Sequence, residues 1–285
     1  MEIIRDPAAF QHRCARLAAH GLGLVPTMGA LHAGHRSLVR ASRARDAATA
    51  VSIFVNPTQF GPDEDFDRYP RTLDQDCLLL ERERVALVFA PDDAAMYPPG
   101  AASLVEVATL SDRLCGATRP GHFRGVATVV LKLFELARPR HAYFGQKDAA
   151  QVAVLRRLVR DFFLPVELVV CPIVRENDGV ALSSRNRLLS PDHRQAATAL
   201  SRALQAIAAG YAAGERDTAA LLARGHPVLA AEPRLRLEYL SAVDGNDLLP
   251  VPAAVPGTLF AVAAFAGPTR LIDNAHIAPD GRFLV

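Results

Sequence analysis

Along this chain, short unbroken apolar runs alternate with stretches in which apolar residues recur every three to four positions. The runs read as strands buried on both faces, and the periodic stretches as helices with one apolar side. Residues 1–20 hold a helical pattern with Phe10, Cys14 and Leu17 on one face. Leu22, Leu24 and Val25 then make a short strand pattern that Pro26 and Gly29 end, and Ser37 to Arg45 continues as a helix. Strand patterns recur at Ala50 to Val55, Val85 to Ala90, Ser103 to Val107, His141 to Phe144 and Val166 to Val170. Helical patterns separate them at about Thr72 to Arg84, through Val129, Val130, Leu133, Phe134 and Ala137, and at Ala149 to Asp161. This alternation, with glycines at the turns, predicts an α/β architecture: a Rossmann-like, doubly wound, mostly parallel sheet over residues 1–172. After Ser190 the pattern changes to alanine-rich helices, to about Gly214 and from Thr218 to Ala231. Strand-like pieces follow at Leu235 to Val243, Thr258 to Phe265 and Leu271 to Ala275. They predict a second, smaller α+β domain over residues 173–285, acting as a lid on a nucleotide.

Composition changes this picture little. A chain of 285 residues with 50% hydrophobic and 22% charged content has ample core. A net charge of +2 is too mild for a nucleic-acid partner, which calls for a concentrated basic face. Cys14, Cys77, Cys115 and Cys171 are widely spaced, with no Cys-x-x-Cys pair, and read as reduced thiols of a cytoplasmic protein. The start, Met1-Glu2-Ile3-Ile4-Arg5-Asp6, lacks a signal-peptide core. The uncharged run from Leu248 to Thr269 is broken by Pro250, Pro252, Pro256 and Pro268, so turns and a strand are expected there rather than a membrane span.

Candidate chemistry concentrates where strands give way to helices. Val25-Pro26-Thr27-Met28-Gly29-Ala30-Leu31-His32-Ala33-Gly34-His35 passes from strand to helix through glycines. A helix start offers unpaired N–H groups and a positive dipole end to an anion. Two imidazoles three residues apart at that start reach the same phosphate as donors. Gly145-Gln146-Lys147-Asp148 repeats the arrangement, with Lys147 to neutralise phosphate, Asp148 to accept from ribose hydroxyls and Gln151 one turn on. Of the 32 basic residues only Lys132 and Lys147 are lysines, so each points weakly to a need for a compact ammonium. Gln59, in the turn after the Ala50 to Val55 strand, suits a ligand bearing hydroxyls and a carboxylate. Ser183-Ser184-Arg185 presents two hydroxyls and a guanidinium to oxyanions. The acids of Asp63-Glu64-Asp65-Phe66-Asp67 read as a solvated loop, and no metal ligand is assigned in it.

The longer strings are narrower. Pro26 to His35, Val55-Asn56-Pro57-Thr58-Gln59-Phe60-Gly61, Arg119-Pro120-Gly121-His122-Phe123-Arg124-Gly125-Val126, Phe144 to Gln151, and Ser183 to Asn186 together resemble the pantothenate synthetase (pantoate–β-alanine ligase) family. This is a branch of the His-x-Gly-His nucleotidyltransferases. The resemblance implies that ATP is a substrate, with Mg2+ bound with its phosphates, and that pantoate and β-alanine are joined through a pantoyl adenylate by a homodimer. It implies that His35 and His32 act at the α/β-phosphate bridge, within a turn formed by Met28, Gly29, Ala30, Leu31, Ala33 and Gly34 that also meets ATP. Lys147, Ser183 and Arg185 would hold the β/γ end; Gly145, Gln146, Asp148, Val174, Leu182 and Ser184 would complete the ATP site; and Gln59 and Gln151 would orient the acceptor substrates. The chain departs from the family pattern in having Cys115 at a commonly acidic position, and Ala150-Gln151 where a Gln-Gln pair is usual. Two alternatives stand beside this reading: another His-x-Gly-His nucleotidyltransferase, and a non-catalytic nucleotide-sensing module. The first would want a cation where this chain has Gln59 and Gln151.

Overall fold

The structure is a computed structural model that describes residues 1–62 and 64–285. The chain divides into two compact units, Met1–Gly145 with Val154–Cys171, and Gln146–Ala153 with Pro172–Val285. A single cut at 172 therefore misses one feature: the turn after Gly145 and the start of its helix group with the second unit.

In the first unit, strands β1 (Glu2–Ile4), β2 (Leu22–Thr27), β3 (Ala48–Ile53), β4 (Leu87–Phe89), β5 (His141–Gly145) and β6 (Glu167–Cys171) form one sheet in the order β1-β4-β3-β2-β5-β6. All five pairings are parallel. Helices α1 (Pro7–Ala18), α2 (Ala33–Arg45), α3 (Leu73–Arg82), the single turns α4 (Asp93–Met96) and α5 (Cys115–Thr118), α6 (His122–Ala137) and α7 (Ala149–Asp161) connect the strands. Val25, Val51 and Val88 lie side by side in register and pack with Leu38, Val39 and Leu80 of α2 and α3. On the opposite face Phe10 of α1 stacks on Phe89 at 4.3 Å, and Phe134 of α6 meets the edge of Phe144. With both faces covered, the inner strands are mainly apolar, which is why they read as nearly continuous runs. The order of strands reverses between β2 and β5, and in such sheets ligands gather beyond the carboxyl ends of the strands at that point. The turn leaving β2 there is Met28 to His32.

Two expectations change. β1 occupies the start of the presumed first helix, which begins only at Pro7 with Asp6 capping it. Ser103 to Val107 joins no sheet: Val105 N–H donates to Thr128 Oγ1 at 3.0 Å, and Thr128 Oγ1–H lies 3.3 Å from Val105 O. A hydroxyl of α6 thus takes the place of a neighbouring strand.

At the amino ends of β2, β3 and β5 lies an enclosed polar cluster. Asp46 accepts from Tyr143 Oη at 2.6 Å and Ser42 Oγ at 3.2 Å, and its other oxygen lies 2.5 Å from His141 Nδ1. Burial, then the Asp46 carboxylate, push the Tyr143 hydroxyl well above its usual pKa. The cluster fills the space over Gly23, where a Cβ would fall 2.2 Å from both Asp46 Oδ2 and Ser42 Oγ.

The second unit holds α8 (Pro191–Ala196), α9 (Thr198–Ala212) and α10 (Thr218–Ala230), with an antiparallel sheet of β7 (Leu235–Asp244), β8 (Thr258–Ala266), β9 (Thr269–Ile277) and β10 (Phe283–Leu284) in the order β10-β9-β8-β7. Alternate residues of β8, Phe260, Val262, Ala264 and Ala266, join Leu200, Leu204, Ile207 and Leu221 in its core. Among the described residues, no helix is long and apolar enough to cross a membrane.

Candidate active site

The Met28 to His35 segment is held by its own backbone and by α3. Thr27 Oγ1 donates to Ser52 O at 2.7 Å and accepts from Gly29 N at 3.2 Å, turning the chain sharply after β2. Gly29 and Ala30 both take positive φ, +80° and +50°, which is strained for alanine. What holds it is Asp76 of α3, only 3% exposed, whose carboxylate accepts from Ala30 N at 2.9 Å and Leu31 N at 2.8 Å. Glu83, just beyond α3, grips α2 further along through Arg36 and Arg40. Hydrogen bonding from Arg40, opposed by burial and aided by Arg36, holds the Glu83 carboxyl below the usual range.

His32 caps α2. Its Nδ1 accepts from Gly34 N at 3.1 Å, while His35 Nδ1 accepts from His32 N at a longer 3.4 Å. With both Nδ1 atoms accepting, these bonds assign the proton of each neutral ring to Nε2. The rings lie 4.1 Å apart between centroids. The arrangement supplies two adjacent N–H donors at the positive end of a thirteen-residue helix.

Gln59 sits in a short 3-10 turn, Pro57–Gln59, beyond β3. Its Oε1 accepts from Asn56 Nδ2 at 3.0 Å and its Nε2 lies 3.2 Å from Met28 Sδ, so the structure brings Gln59 to the His-bearing turn. Asn56 is itself fixed by Gly125 O, Thr58 Oγ1 and Tyr97 Oη. The side chains touching the Gln59 amide are neutral. Its backbone carbonyl is held by His122 Nδ1 at 2.8 Å and Arg119 Nη2 at 3.3 Å, which gives the Arg119 to Val126 string a supporting role. Gly125 lets α6 approach: a Cβ there would lie 2.3 Å from Thr58 O. Lys132 donates to Met96 O at 2.6 Å with its ammonium 4.4 Å from the Tyr97 ring centroid.

Within the acidic loop Asp63 lies outside the described residues, but Glu64 is more than a solvated carboxylate. It pairs with Arg119 through both oxygens, at 2.7 and 2.5 Å. Burial pushes the Glu64 carboxyl up, and the hydrogen bond and charge of Arg119 outweigh it, leaving the group below its ordinary value. Cys115 is buried at the first position of α5.

In the second unit Gln146–Asp148 forms a 3-10 turn leading into α7, with Lys147 Nζ 3.4 Å from Asp148 Oδ1. Gln151 follows in the first turn of α7. Val174 and Leu182 are joined across a narrow hairpin, Leu182 N donating to Val174 O at 2.9 Å. Ser183 caps the 3-10 turn Ser184–Leu188 that carries Ser184 and Arg185. Strand β9 packs against both turns. Gly145 ends β5 in the first unit.

Three buried side chains went unrecognised in the sequence: Asp76, Asp273 and Asn274. Asp76 breaks the α3 face that carries Leu73 and Leu80, and Asp273 stands between Leu271 and Ala275, whereas Asn274 shares its strand face with Arg270 and His276 and no pattern marks it.

A family model for pantoate-beta-alanine ligase matches residues 2–276. The chain belongs to the pantoate–β-alanine ligase family. These are ligases of pantothenate biosynthesis. The chain is 62% identical over 253 residues to a pantothenate synthetase of Acidobacterium capsulatum, covering 89% of this chain and 85% of that protein. A crystal structure of pantothenate synthetase from Thermus thermophilus superposes with a TM-score of 0.94 at 46% identity, covering 98% of this chain and all of that one. A pantoate-beta-alanine ligase from Francisella tularensis, crystallised with beta-gamma ATP and β-alanine, gives a TM-score of 0.79 at 33% identity over 96% of this chain and 97% of its own. The Rossmann-like sheet and the smaller antiparallel unit are those of the family.

Proposed function

We propose that this chain condenses pantoate with β-alanine at the cost of ATP, through a pantoyl adenylate. A pantoate carboxylate oxygen bonds to the α-phosphorus of ATP as the bond from that phosphorus to the α/β-bridging oxygen breaks, and pyrophosphate leaves. The β-alanine amine then bonds to the acyl carbon, the bond from that carbon to the phosphate oxygen breaks, AMP leaves with the electron pair, and the amine loses a proton. Chemistry of this kind requires alignment and neutralisation of growing charge more than a protein nucleophile.

The observation that carries the reading is the pair of Nε2–H donors on His32 and His35, fixed by backbone amides at the start of α2. They suit the bridging and leaving oxygens of the departing pyrophosphate. On the second unit Lys147, Ser183 and Arg185 are the donors for the outer phosphates, and Gln146, Asp148, Val174, Leu182 and Ser184 are placed for the rest of the nucleotide. Gly145 and the Met28 to Gly34 turn are further nucleotide contacts in this reading. Gln59, whose side-chain amide touches Asn56 and Met28, and Gln151 orient pantoate. Mg2+ enters on the nucleotide phosphates as part of the substrate: the grouped side chains are mainly hydrogen-bond donors, and Asp76 is committed to two amides. The Francisella tularensis relative crystallised with an ATP compound and β-alanine supports both substrates.

The test is pyrophosphate release from MgATP with pantoate, first without and then with β-alanine. A stoichiometric burst that turns into steady release, with AMP and pantothenate formed, is expected; no pantoate-dependent pyrophosphate from folded protein refutes the assignment. Removing one preorganised charge-stabilising donor commonly costs about 3–4 kcal/mol, so His35→Ala or Lys147→Ala lowers turnover roughly a hundredfold or more. Near-normal turnover in either variant removes that residue from the mechanism.

A further inference from the structure

Asp273 and Asn274 are consecutive residues of β9, 3% and 2% exposed, in a strand whose neighbours Leu271 and Ala275 belong to the core. Successive strand residues face opposite sides of a sheet. A buried carboxylate on one side and a buried amide on the other cost folding energy unless each is fully paired. Both are paired: Asp273 Oδ1 accepts from the Asn274 N–H at 2.8 Å, and the remaining side-chain bonds of the two run to turns outside the sheet.

The Asn274 amide is committed entirely to the turn that bears Lys147. Its Nδ2 donates to Gln146 O and to Lys147 O, both at 2.9 Å, and its Oδ1 accepts from Gln146 Nε2 at 3.2 Å. Asp273 holds Arg175 with two parallel bonds, Nη1 to Oδ2 at 2.7 Å and Nη2 to Oδ1 at 3.0 Å. Arg175 in turn donates to Gly179 O at 2.9 Å, closing the hairpin in which Arg175 faces Ala181 and Leu182 N bonds to Val174 O. That hairpin leads directly into Ser183, Ser184 and Arg185.

We propose that Asn274 is a positioning residue for Lys147, fixing the turn that presents its ammonium to the nucleotide, while Asp273 fixes the Ser183–Arg185 segment through Arg175. One strand thereby sets the spacing of the two groups of phosphate donors in this unit. The inference rests on the reading that Lys147 meets the nucleotide. A residue that acts through another loses its effect when that other is removed.

The experiment is a double-mutant cycle on MgATP affinity, measured by calorimetry, with the Michaelis constant for pantoate as a second readout. Asn274→Ala is expected to weaken MgATP binding tenfold or more while the pantoate constant stays within twofold. In a Lys147→Ala background the same change is expected to cost less than threefold. Should Asn274→Ala fail to fold, Asn274→Asp keeps the shape and one acceptor but removes both donors, and the same pattern is expected of it. Unchanged MgATP affinity in a folded variant overturns the proposal, as does a loss equally large in both backgrounds. Because binding is read without turnover, wild-type protein that binds MgATP yet releases no pyrophosphate refutes the ligase assignment and leaves the cycle to judge Asn274. Wild-type protein that does not bind MgATP overturns both.

Discussion

Asp76→Asn replaces a carboxylate by an amide of the same shape, so what it tests is charge and acceptor number rather than volume. The carboxylate accepts from Ala30 N and Leu31 N on separate oxygens, and Thr72 Oγ1 adds a third bond at 3.2 Å. Asparagine retains one acceptor and turns an NH2 group toward the other backbone amide. A hydrogen bond to a charged group contributes about 1.5–3 kcal/mol net, and a buried donor left unpaired costs about 1–3 kcal/mol. Because one amide keeps a weaker partner, the expected loss is about 2–4 kcal/mol. For a chain of this size that lowers Tm by roughly 5–15 °C. The loss falls on Ala30, already at φ +50°, and on the residue immediately before His32. A misplacement of ~1 Å in a reacting group can cost ~100-fold in rate. Turnover is therefore expected to fall by more than tenfold at temperatures where the variant is fully folded. The assay is thermal unfolding followed by circular dichroism, with pyrophosphate release measured well below the transition. A variant with unchanged Tm and turnover within threefold of wild type would show that the histidine turn holds itself.

Gly125→Ala places a Cβ 2.3 Å from Thr58 O and 2.7 Å from Gln59 Cα, backbone atoms that no rotamer change moves. Overpacking of this kind costs about 1–3 kcal/mol, and the pantoate Michaelis constant is expected to rise at least fivefold; an unchanged value refutes the link between α6 and Gln59. Since the folded Glu64 carboxyl lies below its ordinary value, its pairing with Arg119 stabilises the protein above the unfolded pKa of ~4.3 and is lost as pH falls through the depressed folded value. The Tm difference between wild type and Glu64→Gln is accordingly constant above about pH 5 and shrinks as pH falls below it; parallel curves would contradict this. Burial pushes the Cys14 thiol up to about 12, with Arg13 opposing weakly, so alkylation at about pH 8 should spare Cys14 until the protein unfolds. Peptide mapping that finds Cys14 modified in native protein as fast as the half-buried Cys77 would overturn that.

Much of the fold is legible because parallel strands covered on both faces are mainly apolar, as β4 is throughout. The placement of His32 and His35 together at the start of α2 is legible because a strand pattern passes through glycines into a helical one there. β1 escaped because three residues carry no period, and Glu2 and Ile3 are exposed. Ser103 to Val107 misled because strand formers were satisfied by the Thr128 hydroxyl, a partner 23 residues away at Val105. Asp76 and Asn274 were unreadable for a related reason. Each bonds to backbone atoms 45 or more positions distant, and sequence displays a polar side chain without displaying the amide or carbonyl it will meet.

Gly23 lies at the opposite end of β2 from the histidines, under the enclosed Asp46 cluster, in a space that admits only hydrogen. A survey of every single substitution, scored by growth, is expected to find this position as intolerant as a catalytic one. Intolerance to change at that glycine reports shortage of room, and a map of function drawn from tolerance alone would place a second active site where the protein has only a filled corner.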